Sequence, residues 1–235
     1  MPDPVSAARP RVLIVENSIA FTGAFRSVLA AARQQRHRFD FYFVLPVGST
    51  LTGTLRGDGF PVEELPFVEL GRSVGRLLGY GPALVRNGWR LAQLVRRHGV
   101  TVLHSNDLYN LAPYVAGQLL GRGRPRLVTH VRMLAGSFSG PFYRFWCACA
   151  VRYADRIVCV SEAVRRGAFP DEPKATVVYD TLEMVERHPA KTDYGRAGEP
   201  VRAQRRARRR VKIRSTITRC AAMRRLCGAG GVWCW

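Results

Sequence analysis

The chain has 235 residues, of which 47% are hydrophobic, enough for one sizeable folded domain and too many for a protein that is disordered throughout. The formal net charge is +20, but residues 191–235 hold 13 Lys or Arg against two acidic residues. Residues 1–190 are moderately basic, with 24 basic and 15 acidic residues, a balance that suits an anionic substrate or an anionic membrane surface.

Neither a membrane span nor a signal peptide is visible in the sequence. No segment reaches the roughly 18 apolar residues of a span, and residues 1–4 lack the charged and apolar regions of a signal peptide. We therefore expect a cytoplasmic protein with free thiols. The six cysteines include no CxxC pair, and the last three have no histidine near them, so we expect no metal site.

The first predicted strand is the apolar run 11–15, and the polar turn 16–22 follows it. A helix comes next, with Thr22 as its expected N-cap and Gly23 in its first turn. Gly23 either lets a phosphate approach the amides of the helix N-terminus or only relieves a tight turn. The sequence leaves both interpretations open.

Two further strands, at 39–45 and 61–65, flank a short helix predicted at 51–55. A basic amphipathic helix is predicted from about Gly81 to His98. Its arginines form either a solvated face, which we favour, or a patch that touches anionic lipid.

The central strand begins at Thr101 and ends in the polar residues His104, Ser105, Asn106 and Asp107. Its apolar residues run without alternation, as in a parallel strand that is covered on both faces. Open parallel sheets bind ligands outside the carboxyl ends of their strands, so this turn marks a potential site. We expect a helix behind it, capped by Asn110 and ended by Gly121.

Three more strands are predicted, at 126–130, 156–160 and 175–179. The first ends at His130 and leads through Arg132 to a small-residue loop at 136–140. Helices are expected at 142–153 and from Glu162, with Ser161 as the cap of the second. Seven strands alternating with helices predict a doubly wound, mostly parallel α/β domain of the Rossmann-like kind.

Taken together, these segments resemble the N-terminal, acceptor-side domain of family 4 glycosyltransferases, which are retaining enzymes of the GT-B fold. The resemblance covers about residues 10–187. Its most specific part is Ala-Asp-Arg-Ile-Val-Cys-Val-Ser-Glu-Ala-Val at 154–164 with Ala-Thr-Val-Val-Tyr-Asp at 175–180. The other matching segments are 11–28, 100–107 and 126–130.

The resemblance implies a second Rossmann-like domain, with transfer from a nucleotide-sugar donor to a sugar or lipid-linked acceptor in the cleft between the domains. No cofactor is implied. His130 would stand beside the transferred sugar as the catalytic residue, where its ring can bind a sugar hydroxyl or accept a proton from the acceptor. The implied substrate-binding residues are Asn17, Thr22 and Gly23 near the donor diphosphate, Asn106 and Asp107 on the acceptor side, and Arg132.

The sequence departs from the family pattern at several places. The family usually has paired glycines in the opening loop, where this chain has Phe21–Ala24. The family often has a histidine where this chain has Asn106, and it usually has Asn-Gly where this chain has Asp180–Thr181. Only one glutamate, Glu199, follows residue 190, so the Glu-x7-Glu motif of the donor-binding domain is absent. We therefore expect a chain that is inactive by itself, with the donor-binding domain missing or supplied in trans.

The basic tail, residues 191–235, has no periodic apolar face and contains the arginine run at 205–210. Such a run can bind nucleic acid without sequence preference. Its abundance of Arg, Ala, Gly, Cys and Trp is also what GC-rich DNA gives when it is translated out of frame. We favour the second interpretation and expect a disordered tail that is not a nucleic-acid-binding arm.

Two functions other than glycosyl transfer are compatible with parts of the chain. One is nucleic-acid binding through the basic tail. The other is a Rossmann-like binding module for dinucleotides, which is disfavoured because the first turn has a single glycine and no G-x-G-x-x-G. For the transferase interpretation we expect a cytoplasmic location, with peripheral contact at the inner face of the membrane.

Overall fold

A computed structural model of the chain describes residues 8–67, 74–134 and 140–180; within the second range, the side chains of residues 74–79 are not described. The predicted tail at 191–235 and most of the small-residue loop at 136–140 lie outside these ranges. The segments that carry the predicted strands are all described.

Seven strands form a single sheet in the order β3-β2-β1-β4-β5-β6-β7, and every neighbouring pair is parallel. They are β1 (Arg11–Val15), β2 (Asp40–Pro46), β3 (Val62–Leu65), β4 (Val102–Ser105), β5 (Arg126–Val131), β6 (Arg156–Cys159) and β7 (Ala175–Val177). The predicted doubly wound α/β fold is confirmed.

Helices connect the strands as predicted. They are α1 (Gly23–Gln35), α2 (Leu51–Gly57), α3 (Val74–His98), α4 (Ala112–Leu120), α5 (Gly140–Tyr153) and α6 (Glu162–Ala168). The amphipathic pattern predicted α3 only from about Gly81 onward. The structure instead carries the helix through Pro82 from Val74.

Side-chain caps fix the starts of α1 and α6. Thr22 Oγ1 accepts a hydrogen bond from the Phe25 N–H at 3.2 Å, and Ser161 Oγ accepts one from the Val164 N–H at 3.3 Å. Both caps were predicted, and each satisfies an N–H that has no partner within its helix.

The start of α4 differs from the prediction by one residue. Leu111, and not Asn110, occupies the cap position. The Asn110 side chain still accepts the Ala112 N–H at 3.1 Å, so it performs the expected hydrogen bonding from one position earlier. At the other end, Gly121 has a φ of 63°, a left-handed conformation that favours glycine, and it ends the helix as predicted.

The core lies on both faces of the sheet. Phe25 of α1 packs against Phe43 of β2, with ring centroids 6.3 Å apart. Val44, whose side chain points to the other face, joins the core cluster that includes Leu91 of α3 and Ala116 of α4. The two central strands are the most enclosed, since every residue of β4 and all but the first of β1 are buried.

At the amino edge of the sheet, an ion pair accounts for the Ala-Asp-Arg-Ile segment. Arg124 donates to both carboxylate oxygens of Asp155, at 2.6 and 2.7 Å, and the Leu127 N–H donates to the same carboxylate at 2.7 Å. Burial acts to raise the pKa of Asp155, but these hydrogen bonds outweigh it and lower that pKa. Asp155 thus ties the starts of β5 and β6 together, at the opposite end from the candidate site.

Candidate functional site

The topological switch point lies between β1 and β4, because β2 and β3 follow on one side of β1 and β4 to β7 follow on the other. Register brings the ends of these strands level, because Val15 lies opposite both Val44 and Ser105. The Asn106 N–H donates to the Val15 carbonyl at 2.9 Å. Side chains that follow β1, β4 and β5 therefore converge at one edge of the sheet.

Glu16, the residue after β1, is 2% exposed and links two of these strand ends. Its Oε1 accepts the N–H groups of Asn17 at 3.0 Å and Ser18 at 2.9 Å. Its Oε2 accepts a hydrogen bond from Nδ2 of Asn106, in the turn after β4. Three donors thus satisfy a carboxylate that would be costly to bury alone.

Arg132 extends the same network beyond β5. Its Nη1 donates to the Asn106 carbonyl at 3.2 Å and to Asn106 Oδ1 at 2.5 Å. Its Nε donates to Asp180 Oδ2 at 3.2 Å, in the segment after β7. A continuous chain of side chains, Glu16–Asn106–Arg132–Asp180, which we call the edge network, therefore spans the strand ends from β1 to β7.

Asp107 lies beside Glu16 and is partly buried, with its Oδ2 atom enclosed. Burial, followed by the charge and hydrogen bond of Glu16, raises the pKa of Asp107 well above its usual range. Arg132 and the backbone of Asn17 act in the opposite direction with smaller effects. Asp107 Oδ2 has no hydrogen-bond partner within the described ranges. Protonation of this carboxyl group is therefore favoured relative to an ordinary aspartate, and one of its oxygens stays available.

His104 and His130 stack against each other with ring centroids 5.7 Å apart and an interplanar angle of 24°. His104 lies opposite Val128, so His130, two residues further along β5, points to the same face. Burial lowers the pKa of His104 to about 3, with the Arg132 charge as a second cause. Burial and then Arg132 and His104 also lower the pKa of His130. Both rings are neutral at pH 7.

His130 is 3% exposed and faces Asp180, with 4.0 Å between its Nε2 and Asp180 Oδ1. Neither ring nitrogen of His130 forms a hydrogen bond with the part of the chain that the structure describes. A neutral imidazole in this state retains one N–H donor and one free lone pair. The ring of His130 can therefore donate one hydrogen bond and accept another.

Thr22 and Gly23 stand apart from the edge network. The Thr22 hydroxyl is the cap of α1 and holds the Phe25 N–H. Gly23 is exposed, has no atom within 4 Å of where a Cβ would sit, and lies outside the left-handed region. Neither crowding nor a left-handed backbone requires a glycine at this position, so the structure does not support the tight-turn interpretation. The open start of the helix is compatible with an approaching phosphate.

Comparison with known families decides the identity of the fold. The family model Glycosyltransferase Family 4 matches residues 21–179. The chain belongs to glycosyltransferase family 4. None of the curated proteins matches its sequence.

Solved structures agree with this assignment at the level of the fold. HepE of Anabaena, in complex with UDP and glucose, is 19% identical with a TM-score of 0.56, and the match covers 73% of this chain and 44% of HepE. A glycosyltransferase from Rickettsia africae ESF-5 is 14% identical with a TM-score of 0.53, covering 74% and 43%. UDP-N-acetylglucosamine 2-epimerase is 11% identical with a TM-score of 0.53, covering 73% and 48%.

The chain spans less than half the length of each of these proteins. Identities this low show a common fold alone, and an epimerase shares it with a transferase, so the reaction has to be argued from the site. The family 4 domain matches one Rossmann-like half of the solved GT-B glycosyltransferases.

Of the predicted site residues, the structure brings together Asn17, Asn106, Asp107, His130 and Arg132. Sequence reasoning did not assign Glu16, His104 or Asp180 to the site of this family 4 domain. Glu16 was detectable as a carboxylate directly behind a strand at the switch point. Asp180 was detectable as a charged residue where the family usually has Asn-Gly. His104 was detectable because alternate residues of a strand point to the same face, and His104 lies two positions before Asn106.

The described part of this glycosyltransferase domain contains no candidate metal site. No group of three or more His, Cys, Asp or Glu side chains there could hold a metal ion. The cysteines that are described, Cys147, Cys149 and Cys159, are free.

Proposed function

We propose that this domain is the acceptor-side half of a retaining, nucleotide-sugar-dependent glycosyltransferase, with His130 as the catalytic residue. The observation that carries this proposal is a buried, neutral histidine at the switch-point edge of a family 4 domain. Ligands of open parallel sheets bind at this edge.

The charge state of the edge suits a hydroxyl-bearing acceptor. His130 is neutral, so its ring can both donate and accept a hydrogen bond, as a sugar hydroxyl does, and Asp107 Oδ2 is an acceptor without a partner among the described residues. The Arg132 charge is offset by the Asp180 carboxylate at 3.2 Å. We propose that the free lone pair of His130 receives a hydrogen bond from a sugar hydroxyl, and that Asp107, Asn106 and Arg132 orient it.

We further propose that the donor is a nucleotide sugar and that its diphosphate approaches the loop from Asn17 to Gly23. The structure of HepE with UDP and glucose supports a nucleotide-sugar donor. The open start of α1 at Gly23 offers backbone N–H groups and the positive end of the helix dipole. A donor-binding domain, in the same polypeptide or supplied in trans, completes the cleft.

Resequencing the gene from about codon 180 decides which polypeptide is assayed. Another frame that encodes a basic diphosphate site and a Glu-x7-Glu motif gives a two-domain enzyme. Confirmation of the present frame directs the search to a partner chain that supplies the donor-binding domain.

The completed enzyme is then tested for release of nucleoside diphosphate from UDP-sugars and GDP-sugars with free-sugar and lipid-linked acceptors. We expect acceptor-dependent release, and a fall of at least about 100-fold in His130→Ala, because a group that moves a proton typically contributes that much. His37→Ala is the control, since His37 is exposed and its ring contacts the Gln34 carbonyl. Undiminished turnover in a folded His130→Ala enzyme would end the catalytic assignment.

A membrane partner is a separate proposal that rests on the outer face of α3. Val85 and Trp89, one turn apart, are 58% and 53% exposed, and the exposed Arg86 and Arg90 stand beside them. No helix among the described residues is long and apolar enough to cross a membrane. We propose that this face contacts an anionic membrane surface peripherally, with Trp89 in the interfacial layer.

Sedimentation with vesicles tests the membrane proposal. We expect binding to vesicles that contain phosphatidylglycerol and little binding to pure phosphatidylcholine, with a roughly tenfold loss in Trp89→Gln from the lost apolar burial. Leu119→Gln is the control, because Leu119 is also exposed but lies on α4. Equal binding of the Trp89→Gln and Leu119→Gln chains would contradict the proposal.

A further inference from the structure

We propose that Glu16 is a positioning residue of this site, which holds the turn after β1 and the Asn106–Arg132 pair in a single arrangement. This inference rests on the proposed function in one respect, since it takes the switch-point edge as the acceptor site. Glu16 itself is enclosed and reaches the site through Asn106.

Both carboxylate oxygens of Glu16 accept hydrogen bonds from elements of the site. Oε1 receives the amides of Asn17 and Ser18, which fixes the path of the turn after β1. Oε2 receives the Asn106 amide, which fixes the orientation of that side chain. Because the amide nitrogen of Asn106 is turned toward Glu16, its oxygen Oδ1 is turned toward Arg132. The orientation of Arg132 therefore depends on a carboxylate that it does not contact.

A buried carboxylate costs desolvation energy that its hydrogen bonds only offset, and apolar side chains of similar size stabilise a protein at least as well. The neighbouring carboxyl of Asp107 adds to that cost, because burial and then the charge of Glu16 raise its pKa, so that a second negative charge is unfavourable here. Two neighbouring carboxyl groups at this place therefore contribute little to stability, but they fix the geometry of the polar side chains around them.

The substitution Glu16→Gln isolates this role. Glutamine has one carbonyl oxygen, so it cannot accept from both the backbone amides and the Asn106 side chain. If its NH2 group faces Asn106, two donors meet and the Asn106 side chain turns over. Arg132 Nη1 then faces an NH2 group in place of Oδ1, and the guanidinium moves.

Nuclear magnetic resonance of the Arg132 Nε–H group in the 235-residue chain provides the test, with the signal assigned by its loss in Arg132→Lys. We expect Glu16→Gln to shift this signal and to speed its exchange with water by at least about tenfold, because loss of the hydrogen bond from Nη1 to Asn106 Oδ1 lets the guanidinium move and weakens the hydrogen bond from Nε–H to Asp180 Oδ2. Glu16→Asp, which keeps the charge but is one methylene shorter, is the second variant and should shift the same signal.

Glu64→Gln is the matched control. Its carboxylate also accepts a backbone N–H, from Gly48 at 3.3 Å, and a side-chain hydroxyl, from Thr52 at 2.9 Å, but it makes no contact with the edge network. We expect Glu64→Gln to lower stability without moving the Arg132 signal.

An unchanged Arg132 signal in folded Glu16→Gln and Glu16→Asp chains would overturn the proposal. Failure of both variants to fold would overturn it too, because Glu16 would then hold the fold and not the arrangement of Arg132. The readout needs neither donor nor acceptor, so a shifted signal together with absent sugar transfer would reject the proposed function and leave the positioning role standing.

Discussion

At the scale of single residues, the stacked histidines carry a thermodynamic cost that depends on pH. Both His104 and His130 have a pKa below the ordinary value of 6.5 in the folded chain, for His104 about 3. Below pH 6.5 the unfolded chain takes up protons that the folded chain does not, so the folded state loses stability as the pH falls. Asp107 opposes this trend, because its raised pKa lets the folded chain bind a proton that the unfolded chain has lost.

We predict that His104→Gln weakens the loss of stability on acidification. Each fully neutral histidine accounts for at most about 1.4 kcal/mol per pH unit below 6.5, so the variant should lose about 1–2 kcal/mol less than wild type between pH 7 and pH 5. Urea unfolding at pH 5, 6 and 7 measures this difference. His37→Gln, at an exposed position, should follow the wild-type profile. Parallel profiles for wild type and His104→Gln would contradict the pKa assignment.

At the scale of secondary-structure elements, α3 and α4 pack closely against each other at Gly88. Gly88 is buried in α3. A Cβ atom added to Gly88 would lie 2.7 Å from the Cβ atom of Val115 in α4. Real Cβ atoms do not approach so closely, so the two helices depend on the absence of a side chain at this position.

We predict that Gly88→Ala destabilises the chain by about 1–3 kcal/mol despite the higher helix propensity of alanine, because overpacking forces the helices apart. Thermal unfolding monitored by circular dichroism measures the effect. Gly53→Ala in α2 is the control, since no atom lies within 4 Å of its Cβ position, and it should leave stability equal or slightly raised. A Gly88→Ala chain as stable as wild type would show that the helices adjust without cost.

The sequence predicted the elements well where pattern and local chemistry agree. Apolar runs located all seven strands, and the caps Thr22 and Ser161 fixed two helix starts. The prediction began α3 near Gly81, whereas the helix begins at Val74 and continues through Pro82. The burial of Leu91 and Val95, which stabilises this helix, is tertiary. The close packing at Gly88 was not predictable, since nothing in the sequence tells which glycine faces another helix.

At the scale of the whole molecule, the alternation of strands and helices predicted the fold class. The sequence predicted only part of the candidate site. The rule that ligands bind at the carboxyl ends of parallel strands pointed to Asn106 and His130. It could not show that Glu16 contacts Asn106, because these residues are 90 positions apart and meet only once β1 and β4 pair. The raised pKa of Asp107 was equally hidden, since burial and a neighbouring carboxylate cause it.

The pairing of β1 with β4 also constrains how the chain is made. β1 sits between β2 and β4, and its register partners in β4 lie about 90 residues further along the chain. During synthesis at about 5–20 residues per second, one edge of β1 therefore waits about 5–20 seconds for its partner to emerge from the ribosome. Non-local parallel pairing is intrinsically slow, so we expect the nascent β1–α1–β2–α2–β3 segment to be the stage at which this chain is most exposed to aggregation and most dependent on chaperones.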